Sequence, residues 1–328
     1  MNLVTGGTGF IGAHVVRALL ARGRTVRCLV RPGSRRSNLA GLSVEIAVGD
    51  VTDFASLSAA CEGVQTVYHC AADYRLGVPD PRPLFACNVA GTENVMRAAA
   101  QARVARVVYT SSVGALGKSA DGSPATEETP VVLSSLVGPY KRSKYEAERV
   151  AQEWSKRGLP VVIVNPSTPV GELDVKPTPT GQMIVDFLNG RMPAYVDTGL
   201  NLVDVRDVAD GHILAAERGR VSEKYILGNQ DMTLKEILDA LSRLTGIPSP
   251  RIRLPHWIPL TAAALDAAKS RVTGRAARIP LEGVRMSRYK MFFDPSKAVR
   301  ELGLPRSPVE GALARAVAWF RENGYARA

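Results

Sequence analysis

The feature that most restricts this chain is a glycine triplet at its start. The apolar run LVT leads straight into GGTGFIGAHVVRAL, which spaces Gly6, Gly9 and Gly12 three apart ahead of an amphipathic stretch. A strand that turns sharply into a helix leaves the first helical N–H groups facing outward with the helix dipole behind them, which makes an anion site. Gly6 permits the tight turn, Gly9 lets a pyrophosphate approach the backbone, and Gly12 lets helix and strand pack closely. Strand, triplet and helix in that order open a βαβ unit, so a dinucleotide held by a doubly wound parallel sheet is expected.

The rest of the chain follows the same plan. Apolar, β-branched runs at Asn2 to Thr5, Thr25 to Val30, Ser43 to Val48, Thr66 to Cys70, Arg106 to Thr110 and Pro160 to Val164 alternate with helical patterns. That alternation predicts an α/β fold with helices on both faces of the sheet, and a run such as VVIV predicts strands buried on both sides. After Gly171 proline-rich segments break the pattern. Residues 1–170 are therefore expected to form the dinucleotide-binding core and 171–328 mainly a smaller substrate lobe, with some segments at about 200–228 returning to the core sheet.

Composition excludes several classes. Hydrophobic residues make up 45% and charged residues 22% of the 328, as in globular proteins. No apolar run reaches the roughly 18 residues of a membrane span, and the opening reads as a strand entering a turn, not as a leader. The four cysteines, Cys28, Cys61, Cys70 and Cys87, lack metal-binding or disulfide spacing, so no metal is expected and the compartment reads as cytoplasmic. The net charge of +11 is concentrated: from Arg251 to Lys290 nine Lys or Arg face only Asp266 and Glu282. Without a nucleic-acid-binding motif this predicts no nucleic-acid partner, but the stretch around Trp257 to Arg278 leaves room for peripheral contact with the inner membrane surface.

Two clusters carry chemistry. Where the second strand ends, an acid would receive the ribose hydroxyl of NAD; this chain has Arg31, with Arg35 and Arg36 behind it, which suits the 2′-phosphate of NADP. In GPYKRSKYEAE, Tyr140 and Lys144 lie four apart on one helical face, and an ammonium beside a phenol favours the phenolate. Ser112, at the end of RVVYTSS, completes a set able to bind a substrate oxygen and exchange its proton while hydride passes to or from a nicotinamide. His14, His69, His212 and His256 read as structural.

These residues, in this order, resemble the extended short-chain dehydrogenase/reductases over most of the chain. TGGTGFIG, with Phe10 and Ile11, is similar to that family's nucleotide loop, GDVTD to its adenine turn with Asp50 and Val51, and HCAA to the segment under the cofactor with Ala71 and Ala72. NVAGTENV places Asn88, TSS places Thr110, Ser111 and Ser112, and NPST places Pro166, Ser167 and Thr168 at the nicotinamide amide. Within the family, the segment from Asn165 to Val205 resembles the hopanoid-associated sugar epimerases and, through them, dihydroflavonol 4-reductases. With Arg31 pointing to NADP and NAD the lesser option, the resemblance implies a small-molecule substrate such as a sugar, nucleotide sugar or sugar-bearing lipid. It also implies a homodimer and substrate contacts at Arg191, Tyr195, Asn201 and Arg285.

Departures narrow the chemistry. Dehydratases of the family carry Thr-Asp-Glu where this chain has Ser112, Val113 and Gly114, so the acid for water elimination is missing, while epimerisation and ketone reduction both stay open. Two readings from other classes compete. A non-catalytic NADP-binding redox sensor would have no need of Ser112, Tyr140 and Lys144 together, and a membrane-surface scaffold would rest on the basic lobe alone.

Overall fold

In a computed structural model of the chain, residues 1–119, 121–273 and 281–326 are described, with the side chains of Ser135 and of 267–273 also left aside. Arg275 and Arg278, and the side chains of Lys269 and Arg271, thus fall outside the description. The core strands are β1 (Asn2–Thr5), β2 (Val26–Val30), β3 (Glu45–Val48), β4 (Thr66–His69), β5 (Arg106–Thr110) and β6 (Val161–Pro166). They are followed by β7 (Thr168–Val170), β8 (Ala194–Val196), β9 (Gly199–Asp204), β10 (Lys224–Leu227), β11 (Gln230–Thr233), β12 (Ile252–Leu254) and β13 (Lys290–Met291). Among the described residues seven strands form one parallel sheet in the order β10-β6-β5-β4-β1-β2-β3.

Helices cover both faces, as buried parallel strands require. The helices are α1 (Phe10–Ala21), α2 (Phe54–Cys61), α3 (Arg82–Phe85), α4 (Gly91–Gln101), α5 (Gly138–Lys156), α6 (Pro179–Leu188), α7 (Val205–Arg218), α8 (Leu234–Thr245), α9 (Trp257–Thr273), α10 (Leu281–Met286), α11 (Ser296–Leu302) and α12 (Val309–Glu322). Val15, Val16 and Leu19 of α1, Val208 and Ile213 of α7 and Leu302 of α11 pack one side of the sheet. Leu57 of α2, Val95 and Met96 of α4 and Ala147 and Ala151 of α5 pack the other. Pro139 sits in the first turn of α5, where a missing N–H costs no hydrogen bond.

A second core joins Ile184 and Phe187 of α6, Ile237 and Leu241 of α8 and Leu313 and Phe320 of α12 over Leu202 of β9. There β9 pairs with β7, β11 and β13, and β12 pairs with β8. Of the segment 200–228, β9 lies in this lobe sheet and β10 in the core sheet. The two parts are tied by ions: Glu172 pairs with Arg206 at 2.7 Å and with Arg315 at 3.1 Å, Arg315 also holds Asp204, and the Glu172 carbonyl accepts from His14 Nε2 at 3.0 Å. Because the core strands run parallel, the residues after β1, β2, β3, β4, β5 and β6 all gather at one edge.

Candidate active site

At that edge the strand order reverses between β1 and β4, where open α/β sheets form their ligand crevice. Gly6 has φ +74°, and a Cβ on it would meet the Ala71 amide nitrogen at 2.7 Å. A Cβ on Gly12 would stand 2.2 Å from the Gly6 carbonyl oxygen. The turn and the helix start therefore fit only with glycine. Gly9 caps α1 with no side-chain bond, so the opening amides of the helix, at Phe10, Ile11 and Gly12, are left to other partners.

Arg31 follows β2, is exposed, and has no hydrogen bond or ion pair from its guanidinium among the described residues, nor do Arg35 and Arg36. Its charge reaches Asp73 and Cys87 across the crevice. Asp50 accepts from the Thr52 amide and hydroxyl, both at 2.8 Å, and Val51 is buried beneath. Ala71 and Ala72 line the segment after β4, with the Ala71 amide on Thr5 Oγ1. After β6, Ser167 is held by its amide to the Leu227 carbonyl, while its hydroxyl is buried without a partner. Thr168 begins β7. A glycine cradle, open helix amides, an unpaired guanidinium and an orphaned serine hydroxyl together fit a nicotinamide dinucleotide lying across the sheet edge.

Ser112 ends the turn after β5, and its Oγ also accepts from the Gly114 amide at 3.0 Å. Burial pushes the Tyr140 phenol above its usual range, and the neighbouring Ser112 hydroxyl opposes that rise. Lys144 is almost fully buried, and burial pushes its ammonium down to about 8, with the Glu148 carboxylate opposing. It donates to the Thr110 carbonyl at 2.7 Å and to Tyr109 Oη at 3.2 Å. The spacing of Tyr140 and Lys144 predicts an ammonium acting on the phenol. Here the ammonium is turned toward β5, and it is not among the groups that shift Tyr140.

The lysine's neighbours were missed by sequence reasoning. Behind Tyr109, the Thr92 hydroxyl bonds His69 Nε2 at 3.1 Å and donates to the Asn88 carbonyl at 2.6 Å. His69 Nδ1 takes the Thr5 hydroxyl at 2.7 Å, and Thr5 Oγ1 accepts the Ala71 amide at 3.3 Å. Donors and acceptors match only if His69 is neutral with its proton on Nε2, and burial does hold it neutral, down to about 3. The available signal was the buried face of α5: Lys141, Lys144, Glu148 and Ala151 recur at helical spacing, so three charges point inward.

Several expected contacts change role. Asn88, in the π-helical turn Ala86–Ala90, gives both amide hydrogens to the Asp73 carbonyl and Ser143 Oγ and accepts the Asp73 amide, so it holds the loop after β4 against α5. The Ser111 hydroxyl turns to Glu148 at 2.5 Å, and Thr110 Oγ1 to His212 at 2.9 Å, leaving only their main chains toward the crevice. Asn201 is a correction: it is 1% exposed, and both of its amide hydrogens are taken by Asp231 and the Phe293 carbonyl, so it ties lobe strands together instead of meeting substrate. Tyr195 packs on the lobe core. Arg191 stands 3.6 Å from Asp186 at the surface, and Arg285 is exposed on α10. Pro166 closes β6.

A profile of the NAD dependent epimerase/dehydratase family matches residues 2–228. A protein of Synechocystis sp. provisionally named dihydroflavonol 4-reductase is 48% identical, covering 99% of this chain and 95% of that one. Sterol demethylase protein B of Methylococcus capsulatus is 40% identical over 98% of this chain and 99% of its own length. The crystal structure of a nucleoside-diphosphate-sugar epimerase from Pseudomonas aeruginosa superposes with a TM-score of 0.82 at 31% identity, covering 99% of each chain.

Proposed function

Because the chain belongs to the NAD-dependent epimerase/dehydratase family of extended short-chain dehydrogenase/reductases, we propose that it is an NADP-preferring oxidoreductase acting at a hydroxyl or keto carbon of a small molecule. The observation that carries this reading is the placement of Ser112 and the buried Tyr140 together at the crevice, the serine hydroxyl acting on the phenol, with Lys144 anchored one helical turn along. Ser112 orients the substrate oxygen, and Tyr140 gives that oxygen a proton during reduction or takes it during oxidation. Lys144, turned toward β5, holds the Thr110 carbonyl and the Tyr109 hydroxyl at the floor of the crevice. The bound nicotinamide supplies or takes up the hydride. Val113 and Gly114 stand where the dehydratases of the family carry acids, so reduction or epimerisation is favoured over loss of water.

The preference for NADP rests on the unpaired Arg31, whose forked donors suit a phosphate monoester. The substrate is a sugar, a nucleotide sugar or a sugar-bearing lipid. The names of the relatives, a nucleotide-sugar epimerase among the structures and a sterol-processing protein among the sequences, support that range, and the latter supports a place in triterpenoid lipid synthesis. Peripheral contact with an anionic membrane belongs to the same reading. Trp257 and Leu265 lie two turns apart on α9 and are 64% and 73% exposed, Arg251 and Arg285 are exposed as well, and vesicle sedimentation at low salt reads the contact.

Tyr140→Phe tests the chemistry. Against a panel of keto sugars and ketones, NADPH consumption by the variant should fall at least a hundredfold while NADPH binding stays within about twofold. A variant that keeps wild-type turnover would sink the assignment of Tyr140.

A further inference from the structure

Lys141, the residue after Tyr140, is a buried cation that the proton path does not use. Its side chain is 3% exposed. Among the described residues its only hydrogen-bond partner is the Met291 thioether sulfur, 3.7 Å from Nζ, and no carboxylate lies within ion-pair distance of it. A thioether is a weak acceptor, and an ammonium withdrawn from water without an anion costs several kcal/mol. Native structures seldom leave such a group without a purpose.

Its surroundings add a second cation. Lys118 reaches in from the loop between β5 and α5, with its ammonium 3.5 Å over the Tyr289 ring and no ion pair to a carboxylate among the described residues. Burial, aided by the Lys118 charge, pushes the Lys141 ammonium down to about 8, with Glu282 opposing. Glu282 of α10 faces Lys141 from the lobe side. One of its oxygens accepts the Gly77 amide at 2.9 Å, the other has no partner, and burial raises its pKa toward the neutral acid. Two cations thus confront one carboxylate that is half engaged and disfavoured as an anion.

The position is next to the reacting groups. A Cβ placed on Gly114 would stand 3.3 Å from Ser112 Oγ and 3.5 Å and 3.8 Å from Cγ and Cε of Lys141. The Lys141 stem and the Ser112 hydroxyl thus lie together against the side-chain-free face of Gly114. We propose that Lys141 and Lys118 form an anion-recognition subsite beside Ser112 and Tyr140, which takes a carboxylate or phosphate that the substrate carries near its reacting hydroxyl or keto carbon. The proposal rests on the hydride-transfer reading above and narrows its substrates to anionic ones.

The test is thermal unfolding of the whole protein, with and without saturating NADP, on addition of inorganic phosphate, malonate or chloride at matched ionic strength. Saturation with NADP fills the cofactor's own phosphate sites. Phosphate or malonate should then raise the wild-type Tm by about 2–4 °C beyond chloride. The rise should vanish in Lys141→Met, shrink in Lys118→Met and persist in Tyr140→Phe. A response to phosphate alone identifies a phosphorylated substrate, and one to malonate alone a carboxylic acid.

Lys141→Met should unfold at or above the wild-type temperature, since it removes an unpaired buried charge. Lys141→Gln serves as the second variant if the thioether disrupts folding. Equal anion shifts in wild type and Lys141→Met would overturn the subsite, as would no wild-type shift beyond chloride. A lowered Tm in both Lys141→Met and Glu282→Gln with no anion response would instead make Lys141 a strut between α5 and α10. Failure of the hydride-transfer reading looks different: NADP gives no stabilisation of its own, while the Lys141-dependent anion shift is still seen without it.

Discussion

A single lysine separates what spacing predicts from what packing decides. That Tyr140 and Lys144 share a helical face follows from 3.6 residues per turn. The direction of the ammonium does not, because its acceptors, the Thr110 carbonyl and the Tyr109 hydroxyl, lie more than 30 residues earlier on β5. For the same reason Asn201, expected at the substrate, is consumed by partners from β11 and the segment after β13. Tyr109 has a testable consequence. In Tyr109→Phe the ring still fills its buried site, but Lys144 loses an acceptor for its charged form, and its pKa, already held down to about 8 by burial, falls further. The alkaline limb of the kcat profile should move about one pH unit lower, the size of one hydrogen bond to a charged group. A limb that stays in place would show that the hydroxyl is packing alone.

At the scale of elements, the parallel core was the most legible part. The six runs from Asn2 to Val164 lie in β1 to β6, because buried strands demand continuous apolar residues and α1, α2, α4 and α5 show amphipathic faces between them. The candidate site was legible to the same extent, since whatever follows a parallel strand must arrive at one edge. The lobe was less so: β8, β12 and β13 have two or three residues each, too short for any periodicity, and are defined by their partners. For α9, Trp257, Thr261 and Leu265 fall at i, i+4 and i+8 and present an apolar stripe to solvent. The protein should sediment with phosphatidylglycerol vesicles at low salt, and a Trp257→Ser, Leu265→Ser double variant should lose most of that binding without a change in Tm. Equal sedimentation of the variant would exclude the stripe as the contact.

Over the whole molecule, buried ionisable groups tie stability to pH. Burial holds His69 and His212 neutral, down to about 3 and about 4, so below pH 6.5 the unfolded chain binds protons that the folded chain refuses, and stability falls with pH. Asp174 works the other way: buried, with its carboxyl raised to about 6, it gains stability as pH falls through that value. The three together predict a loss of about 2–3 kcal/mol between pH 7 and pH 5, measurable by urea unfolding. A flat profile would mean that the two histidines are accessible to protons.

The central claim is that this sheet edge binds NADP for hydride transfer, and titration of the purified protein with NADP and with NAD, beside Arg31→Ala, tests it most directly. The account predicts at least tenfold tighter binding of NADP, with the difference lost in the variant and NAD affinity unchanged. Equal affinities in the wild-type protein, or a preference for NADP that survives Arg31→Ala, would contradict it.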